Sequence, residues 1–284
     1  MISVVKIALS AAHAQLYFPC DMNDSSRTTT RARAEGEFYD RYAERLAIET
    51  LDPFRVFAPT CIENIRLVEI LGDLHNKRVL DIGCGQGDTS VFFALRGAEV
   101  WSIDVSAGMI ELTRQLAIRH GVGASVHVEV CRVEDITYSP NFFDLIFADG
   151  VLHHLDIQKA LPVLVQVMKV GGRGVFLEPQ IGSRFIEIYR RFAKDLRTAD
   201  ERPLGPADLM FLRDQFGGLE HREYHLVSLL LFGLRFVQLK LTGKAFPYWM
   251  DEIRQGKYHP RILRWLQNVD EWLLRRFVSL QKYC

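Results

Sequence analysis

Hydrophobic positions along the chain follow two alternating patterns, which predict strands joined by helices. Short apolar runs with the length of a buried strand occur at residues 79–82, 98–103, 125–130, 141–148 and 175–179. Between these runs, segments that predict helices occur at residues 91–96, 107–120 and 156–170. Strands that alternate with helices predict βαβ units, in which helices cover a parallel sheet.

The segments on either side of this core have less regular patterns. Residues 1–22 contain a short apolar, alanine-rich stretch interrupted by Lys6, and we expect a helix or a disordered extension there, with Met22 as an alternative start. Residues 23–33 are polar and predict a flexible arm, whereas residues 35–70 predict helices. Beyond the fifth strand the pattern predicts two helices, a strand and a terminal helix at 183–196, 206–216, 219–230 and 261–281. The apolar side of the terminal helix is expected to contain Trp265, Leu266, Trp272, Leu273 and Leu274.

Composition and charge argue against several classes of protein. The chain has 284 residues, of which 48% are hydrophobic, so it can bury a large core. Its 35 basic and 35 acidic residues cancel, which gives no electrostatic case for binding nucleic acid. Five cysteines without a Cys-x-x-Cys pair indicate a reduced, cytoplasmic chain with neither disulfides nor a zinc site. The longest strongly apolar stretch, 226–234, is shorter than the ~20 residues that a membrane-spanning helix needs.

A glycine-rich loop follows the first of the predicted strands. Three glycines alternate with other residues over 83–87, and a helix and a second strand ending at Asp104 come next. A dinucleotide-binding loop would have its third glycine where this chain has Asp88, whose carboxylate would repel a pyrophosphate. The string Asp-x-Gly-x-Gly-x-Gly, which begins at Asp81, resembles motif I of the class I S-adenosylmethionine-dependent methyltransferases, of the type that acts on small molecules.

The resemblance covers about residues 75–180 and implies a fold, a cofactor and a set of binding residues. The implied fold is a Rossmann-like α/β fold, a doubly wound, seven-stranded and mostly parallel sheet with a helical lid, although the pattern gives no position for the seventh strand. The implied cofactor is S-adenosylmethionine, with the loop around its methionine part and Asp104 accepting hydrogen bonds from both ribose hydroxyls. The candidate cofactor-binding residues are Tyr39, Asp81, Gly83, Cys84, Gly85, Gly87, Asp104, Val105, Met109, Val133, Glu134 and Asp149.

Two of these assignments have alternatives. A helix N-terminus lowers the pKa of a thiol, so Cys84 is a candidate thiolate, but a small side chain that fills a tight loop is the favoured interpretation. Relatives often have an adenine-binding acid at the position of Arg132. We therefore assign adenine recognition to the backbone of Val133 and to Glu134, which is otherwise an ordinary solvated acid in a turn.

Two segments are expected to cover the pocket. The carboxyl ends of the predicted strands form its mouth, and residues 35–42 and 183–216 are the parts of the chain available to close over it. The ring of Tyr39 is expected near the positively charged sulfur, where it makes a cation–π contact, with Tyr42 as the second choice. Packing of these aromatic rings against the core is an equally favoured interpretation.

Two adjacent histidines follow the fourth predicted strand. His153 and His154 are both placed to reach the pocket, and either is a candidate general base. The same Val-Leu-His-His-Leu run occurs in relatives with very different acceptors, which favours a structural role. Glu178 and His154 are expected to be the polar groups nearest the acceptor. Adjacent histidines should point apart, and His, Asp and Glu do not cluster at ligand spacings, so we expect no metal.

We divide the chain into five parts. Residues 1–34 are expected to contribute little apolar surface, so that deleting them leaves the core folded. The parts are an N-terminal extension, a helical cap, the S-adenosylmethionine-binding core, a lid insertion and the C-terminal strands and helices, at 1–34, 35–70, 71–182, 183–218 and 219–284.

These features predict methyl transfer to an oxygen or carbon atom of a small, largely apolar metabolite, as in small-molecule biosynthesis. The loop after the fourth strand, Ala148–Val151, lacks the Asn/Asp-Pro-Pro-Tyr/Phe run of relatives that methylate amide or adenine nitrogens. Two alternatives stay open, a methyltransferase that acts on protein or RNA and an S-adenosylmethionine-binding protein without methyl transfer. The expected partners are a small-molecule acceptor and a second copy in a homodimer, with no nucleic acid and no membrane span.

Overall fold

The computed structural model of the protein describes residues 2–10, 25–57, 62–179, 203–224, 227, 229–242 and 258–276. None of the helices in these ranges is long and apolar enough to cross a membrane. The predicted helix at 183–196 and the last residues of the predicted terminal helix, 277–281, lie outside the described residues.

Strands and helices alternate through the middle of the described chain, as the apolar runs predict. The strands are β1 (Ile2–Ala8), β2 (Arg78–Ile82), β3 (Glu99–Asp104), β4 (Val126–Val130), β5 (Phe143–Asp149), β6 (Met168–Pro179) and β7 (Leu219–Tyr224). The helices are α1 (Ser25–Ala43), α2 (Pro53–Val56), α3 (Ile62–Leu71), α4 (Asp88–Leu95), α5 (Ala107–Arg119), α6 (Ile157–Val167), α7 (Pro206–Phe216), α8 (Leu229–Leu241) and α9 (Pro260–Arg276).

The strands form one seven-stranded sheet in the order β4-β3-β2-β5-β6-β1-β7. The strands from β2 to β6 pair in parallel with their neighbours, and β1 is antiparallel to both β6 and β7. The order reverses between β2 and β5, so the carboxyl ends on either side of this point form the crevice in which open α/β sheets bind ligands. The predicted Rossmann-like, mostly parallel sheet is confirmed.

The N-terminal segment is the main correction to the predicted fold. Residues 2–8 form neither a helix nor a disordered extension; they form β1, which occupies the strand position that the sequence pattern left unassigned. Val4, Val5 and Ile7 are at most 1% exposed, so the expectation that this segment adds little apolar surface is wrong. Alternating β-branched residues in Ile-Ser-Val-Val-Lys-Ile-Ala favour a strand once β6 and β7 supply partners on both sides.

The sheet is buried on both faces, which explains the continuous apolar runs in its central strands. One core cluster packs α3 and α4 against residues such as Val79 and Phe147. The other packs α6 and α7 against the alternate positions, including Leu80 and Val5. Because successive residues of a strand point to opposite faces, β1, β2, β3, β5 and β6 each contribute to both clusters.

Four further segments differ from their predicted structures. The predicted flexible arm, 23–33, contains the first turns of α1. Helix α7, expected within the lid, buries Leu212 and Phe216 completely in the core cluster beside α6. Residues 168–174, predicted as the end of a helix and a turn, belong to β6, which has an irregular register against β5 there. In α9, Trp265 and Trp272 are 64% and 61% exposed, because Gln267 and Asp270 take places on the buried side.

The buried position of β1 leads to a testable prediction. Val5→Ala should lower the free energy of unfolding by about 1–3 kcal/mol, because it removes buried methyl groups from a packed core. Urea denaturation measures the change. Lys6→Ala is the control in the same strand, since its ion pair with Glu220, 3.0 Å long, is partly solvated and worth less than about 1 kcal/mol. Equal stability of the two variants would contradict the core position of β1.

Candidate functional site

The predicted cofactor loop lies at the carboxyl ends of β2 and β3. The backbone amides of Gly83 and Cys84 donate to the carbonyl oxygen of Ile103, at 2.8 and 3.1 Å, so the loop is fastened to the neighbouring strand. Gly87 has a φ of +88°, and a Cβ there would lie 2.6 Å from the Cα of Thr113. Only glycine therefore allows α4 to begin this close to α5.

Asp81 supports the loop from below. Its side chain is 1% exposed, and one carboxylate oxygen accepts hydrogen bonds from the hydroxyls of Thr89 and Ser90, both 2.6 Å long. Burial raises the pKa of Asp81 to about 7, with smaller contributions from the negative charges of Asp149 and Asp104. Helix α4 begins at Asp88, so Thr89 and Ser90 lie in its first turn and bind Asp81 from there.

Asp104, the predicted ribose-binding acid, lies above the loop. Its carboxylate accepts hydrogen bonds from the backbone amides of Gly85 and Ser106, at 3.0 and 2.9 Å. Burial raises the pKa of Asp104 to about 6 despite these two donors. A Cβ added to Gly85 would meet no atom within 4 Å, so the space over this glycine is open. An acceptor carboxylate beside an open glycine loop fits the ribose and methionine parts of S-adenosylmethionine.

The residues assigned to the adenine side of the cofactor cluster around the same edge. Ser106 caps α5, since its hydroxyl accepts from the amide of Met109 at 3.1 Å, and Met109 is 2% exposed. Val133 is buried, and burial raises the pKa of the Glu134 carboxyl, so Glu134 is not an ordinary solvated acid. Arg132 binds Asp135 through two nitrogens at 2.6 and 2.8 Å and is thereby held in the turn.

Cys84 is buried against α5. Its sulfur lies 3.4 Å from the hydroxyl of Thr113, which in turn donates to the carbonyl oxygen of Gly85. Burial raises the pKa of the Cys84 thiol well above its ordinary value, with the charge of Asp104 adding to the effect. The thiol is therefore neutral, which favours the interpretation of Cys84 as a small side chain that fills the loop.

A second group of site residues lies where β5 and β6 end, and Glu178 organises it. The Glu178 carboxylate is 1% exposed and accepts from the amides of Val151 and Leu152, at 2.9 and 2.7 Å, and more weakly from that of His153. It also lies 2.7 Å from Nδ1 of His153. Glu178 is thus committed to the turn that carries the histidines, which makes it a positioning residue.

The two histidines lie side by side, contrary to the expectation that they point apart. The ring centroids of His153 and His154 are 4.0 Å apart and inclined at 41°. Nδ1 of His154 lies 2.9 Å from a carboxylate oxygen of Glu35 on α1, with an alignment that falls short of a hydrogen bond. In the described ranges, no three His, Cys, Asp or Glu side chains are grouped as a metal site would require.

Helix α1 lies across both groups of residues. Its Asp40 accepts from the hydroxyl of Ser106 and the amide of Gly108, at 2.6 and 2.9 Å. Arg31, near the other end, donates to the carbonyl oxygen of His153 at 3.0 Å. Tyr39 is half-buried, with its ring edge-on to Phe38, and its predicted contact with the cofactor stays a prediction.

Three residues of this site were not identified from the sequence as site residues. Asp40 belongs to the Phe-Tyr-Asp segment that predicted a cap, so a signal for it existed. Glu35 and Thr113 are single polar residues in helices, and nothing in their sequence surroundings distinguishes them from solvated positions. Only the packing of α1 and α5 brings them to the strand ends.

Comparison with known proteins gives a family for the central part of the chain. Residues 79–172, which contain the glycine loop, Asp104 and both histidines, match the family described as "Methyltransferase domain". This match covers about a third of the chain and shows what the central part of the chain is similar to. The resemblance stated from motif I is therefore confirmed, whereas the individual cofactor-binding residues stay predictions.

Curated proteins that are similar to this chain include two groups of methyltransferases. A ubiquinone/menaquinone biosynthesis C-methyltransferase of Geotalea daltonii is 33% identical over 36% of this chain and 46% of the relative. A ubiquinone biosynthesis O-methyltransferase of Bordetella bronchiseptica is 31% identical over 51% of this chain and 64% of the relative. The chain thus spans less than two thirds of the length of these curated relatives.

Solved structures that resemble this chain are also known. One is a geranyl diphosphate C-methyltransferase from Streptomyces coelicolor A3(2), solved with Mg2+, geranyl diphosphate and S-adenosyl-L-homocysteine. It has a TM-score of 0.46 and 15% sequence identity, and the match covers 55% of this chain and 61% of that chain.

The environment of Asp104 predicts how cofactor binding depends on pH. Ribose hydroxyls donate to an ionised carboxylate, and the pKa of Asp104 is about 6. Below that pH the carboxyl holds its proton, so affinity for S-adenosylhomocysteine, the reaction product, should fall by up to about tenfold per pH unit. Calorimetry between about pH 5 and pH 7.5 measures this, and Asp104→Ala should lose about 1–3 kcal/mol of binding at the upper end.

The control for this experiment is Asp214→Asn. Asp214 is an exposed acid on α7, paired with Arg213 at 2.8 Å, and its loss should leave binding unchanged. An affinity that stays constant down to about pH 5, or an Asp104→Ala variant that binds like the wild type, would contradict the assignment of Asp104 to the ribose.

Proposed function

We propose that the protein is an S-adenosylmethionine-dependent methyltransferase that acts on an oxygen or carbon atom of a small, largely apolar molecule. The observation that carries the proposal is the meeting of two constellations at one edge of the sheet. Asp104 and the glycine loop lie on one side of the crevice, and the Glu178–His153 pair lies on the other. The match of residues 79–172 to the methyltransferase domain supports both assignments.

The cofactor supplies a methyl group bound to a positively charged sulfur. The chain's own residues hold and orient it, with Asp104 on the ribose and residues 83–87 around the methionine part. The displacement loses charge as it proceeds, so alignment and exclusion of water supply most of the rate enhancement. Helix α1, which contacts Ser106 and His153, is the described segment that excludes water from the crevice.

A general base is needed when the acceptor group carries a proton, and His154 is our candidate. Nδ1 of His154 faces Glu35 at 2.9 Å, so Nε2 is the ring nitrogen assigned to the acceptor. The ring of His153 is bound to Glu178 and lies next to the ring of His154. A hydroxyl of an acceptor can therefore pass its proton to Nε2 of His154 while the oxygen attacks the methyl carbon.

The net charge of the chain and the roles of its relatives support a small molecule as the acceptor. The chain has no net charge, which argues for a small molecule and against nucleic acid as partner. The cysteine pattern supports a cytoplasmic location, and the homodimer expected from the sequence stays a prediction. The relatives' roles in ubiquinone and menaquinone biosynthesis concern small molecules, which supports the same class of acceptor.

Histidine variants test the proposed chemistry. We expect His154→Asn to lower the turnover of methyl-labelled S-adenosylmethionine on hydroxylated aromatic acceptors by at least about 100-fold, because general bases contribute that much or more. Affinity for S-adenosylhomocysteine should stay unchanged. His127→Asn is the control, since His127 is an exposed histidine on β4. Turnover within about threefold of the wild type in His154→Asn would reject the base and leave it a structural residue.

The proposed contact between Tyr39 and the positively charged sulfur gives a separate test. Tyr39→Phe keeps the ring and should change turnover only modestly, whereas Tyr39→Ala removes the cation–π contact and should lose substantially more. The affinity for S-adenosylmethionine, measured beside that for the uncharged product, isolates the charge. If both ligands weaken equally in Tyr39→Ala, the ring packs α1 and does not recognise the sulfur.

A further inference from the structure

We propose that Glu35, on α1, is a positioning residue that links the cofactor site to the acceptor base, by holding the ring of His154 from the helix that packs on the backbone directly after Asp104. The inference rests on the proposed function and extends it from the crevice to the helix that covers it. Glu35 is the described carboxylate of α1 that contacts the histidine pair.

The first step of the argument is the contact itself. A carboxylate oxygen of Glu35 lies 2.9 Å from Nδ1 of His154, and the two side chains are only 13% and 8% exposed. Water screens the interaction between two such groups poorly, so it is stronger than a surface ion pair. The alignment falls short of a hydrogen bond, so the contact is an electrostatic one between the carboxylate and the ring.

The second step is the pairing of both histidines with carboxylates from opposite sides. Glu178 reaches His153 from β6 within the sheet, at 2.7 Å, whereas Glu35 reaches His154 from the covering helix. The Glu178 pair is fixed whenever the domain is folded. The Glu35 pair exists only while α1 is seated, so the orientation of His154 reports the position of the cover.

The third step is the packing of α1, which contacts the cofactor side of the crevice. A Cβ at Gly36, the next residue after Glu35, would lie 2.7 Å from the carbonyl oxygen of Val105. Glycine therefore lets α1 approach the backbone directly after Asp104. Asp40 fixes the following turn by accepting from Ser106 and Gly108. The same helix thus touches the ribose-binding segment and the acceptor turn.

The fourth step is electrostatic. After burial, the charge of Glu35 is among the causes that raise the pKa of Asp104 to about 6. The other charged groups around the two carboxylates are Arg31 on the same helix, His153 and His154 on the acceptor turn, Glu178 on β6 and Asp81 below the loop. Glu35 therefore interacts with both halves of the site, through Asp104 on one side and His154 on the other.

In the transfer step, Glu35 stabilises the charge that appears on the base. The proton of the acceptor hydroxyl moves to Nε2 of His154, which makes the ring cationic with its Nδ1–H directed at the Glu35 carboxylate. The acceptor oxygen forms the new bond to the methyl carbon, and the electron pair of the broken carbon–sulfur bond stays on sulfur. The proton leaves to solvent after the product departs.

The experiment combines calorimetry and NMR on the full chain, with S-adenosylhomocysteine as the probe. In Glu35→Gln, the acidic loss of affinity should shift to lower pH, so that binding at about pH 5 becomes about two- to threefold tighter than in the wild type. The 15N signals of His154 should change on addition of the probe in the wild type, and this change should be lost in Glu35→Ala. His154→Asn identifies the signals.

The control is Glu37→Gln, an exposed glutamate on the same helix that pairs with Arg33. It should leave both the pH midpoint and the His154 response at wild-type values. The inference is overturned if the wild type binds the probe but Glu35→Gln keeps the wild-type pH midpoint and Glu35→Ala keeps the His154 response. A wild type that fails to bind the probe would instead reject the proposed function, so the two failures are distinguishable. Circular dichroism of each variant confirms that α1 is still folded.

Discussion

Backbone amides at the carboxyl ends of parallel strands have no strand partner, and in this protein buried carboxylates accept their hydrogen bonds. Asp104 holds the glycine loop and the start of α5, and Glu178 holds the turn before α6. Burial raises the pKa of Asp81 to about 7 and of Asp104 to about 6. A raised pKa means that the folded state favours the protonated carboxyl. The contribution of Asp81 and Asp104 to the free energy of unfolding is therefore fully present below about pH 4, and it is lost as the pH rises through these pKa values.

The position of the site depends equally on the N-terminal strand. β1 pairs with β6 through Glu178 and Pro179, and on its other edge with β7. β6, the strand that carries Glu178, is thus bordered by residues 2–8. The cover, α1, follows the same segment in sequence, so residues 2–8 and 25–43 contribute a strand between β6 and β7 and the wall of the crevice.

The crevice contains two histidine–glutamate pairs, and the two pairs differ in the elements that they join. The pair formed by Glu178 and His153 belongs to the folded sheet, whereas the pair formed by Glu35 and His154 joins the sheet to α1. The base proposed at His154 would be oriented only while α1 is seated, where water is excluded and interactions between charges are strongest. The arrangement would suit methyl transfer, because a cationic donor must be bound and an acceptor proton removed in the same site, from which water is excluded.

The local sequence determined the βαβ order of the central strands and helices, the glycine loop and the acid at the end of β3, because these follow from short-range periodicity and turn chemistry. It also placed the histidines after β5. Only the tertiary structure decided that residues 2–8 are a strand, since an isolated strand has no stability until β6 and β7 pair with it. For the same reason Glu35 has no signal in the sequence: its neighbour His154 lies more than a hundred positions away, and only the seating of α1 brings them within 2.9 Å.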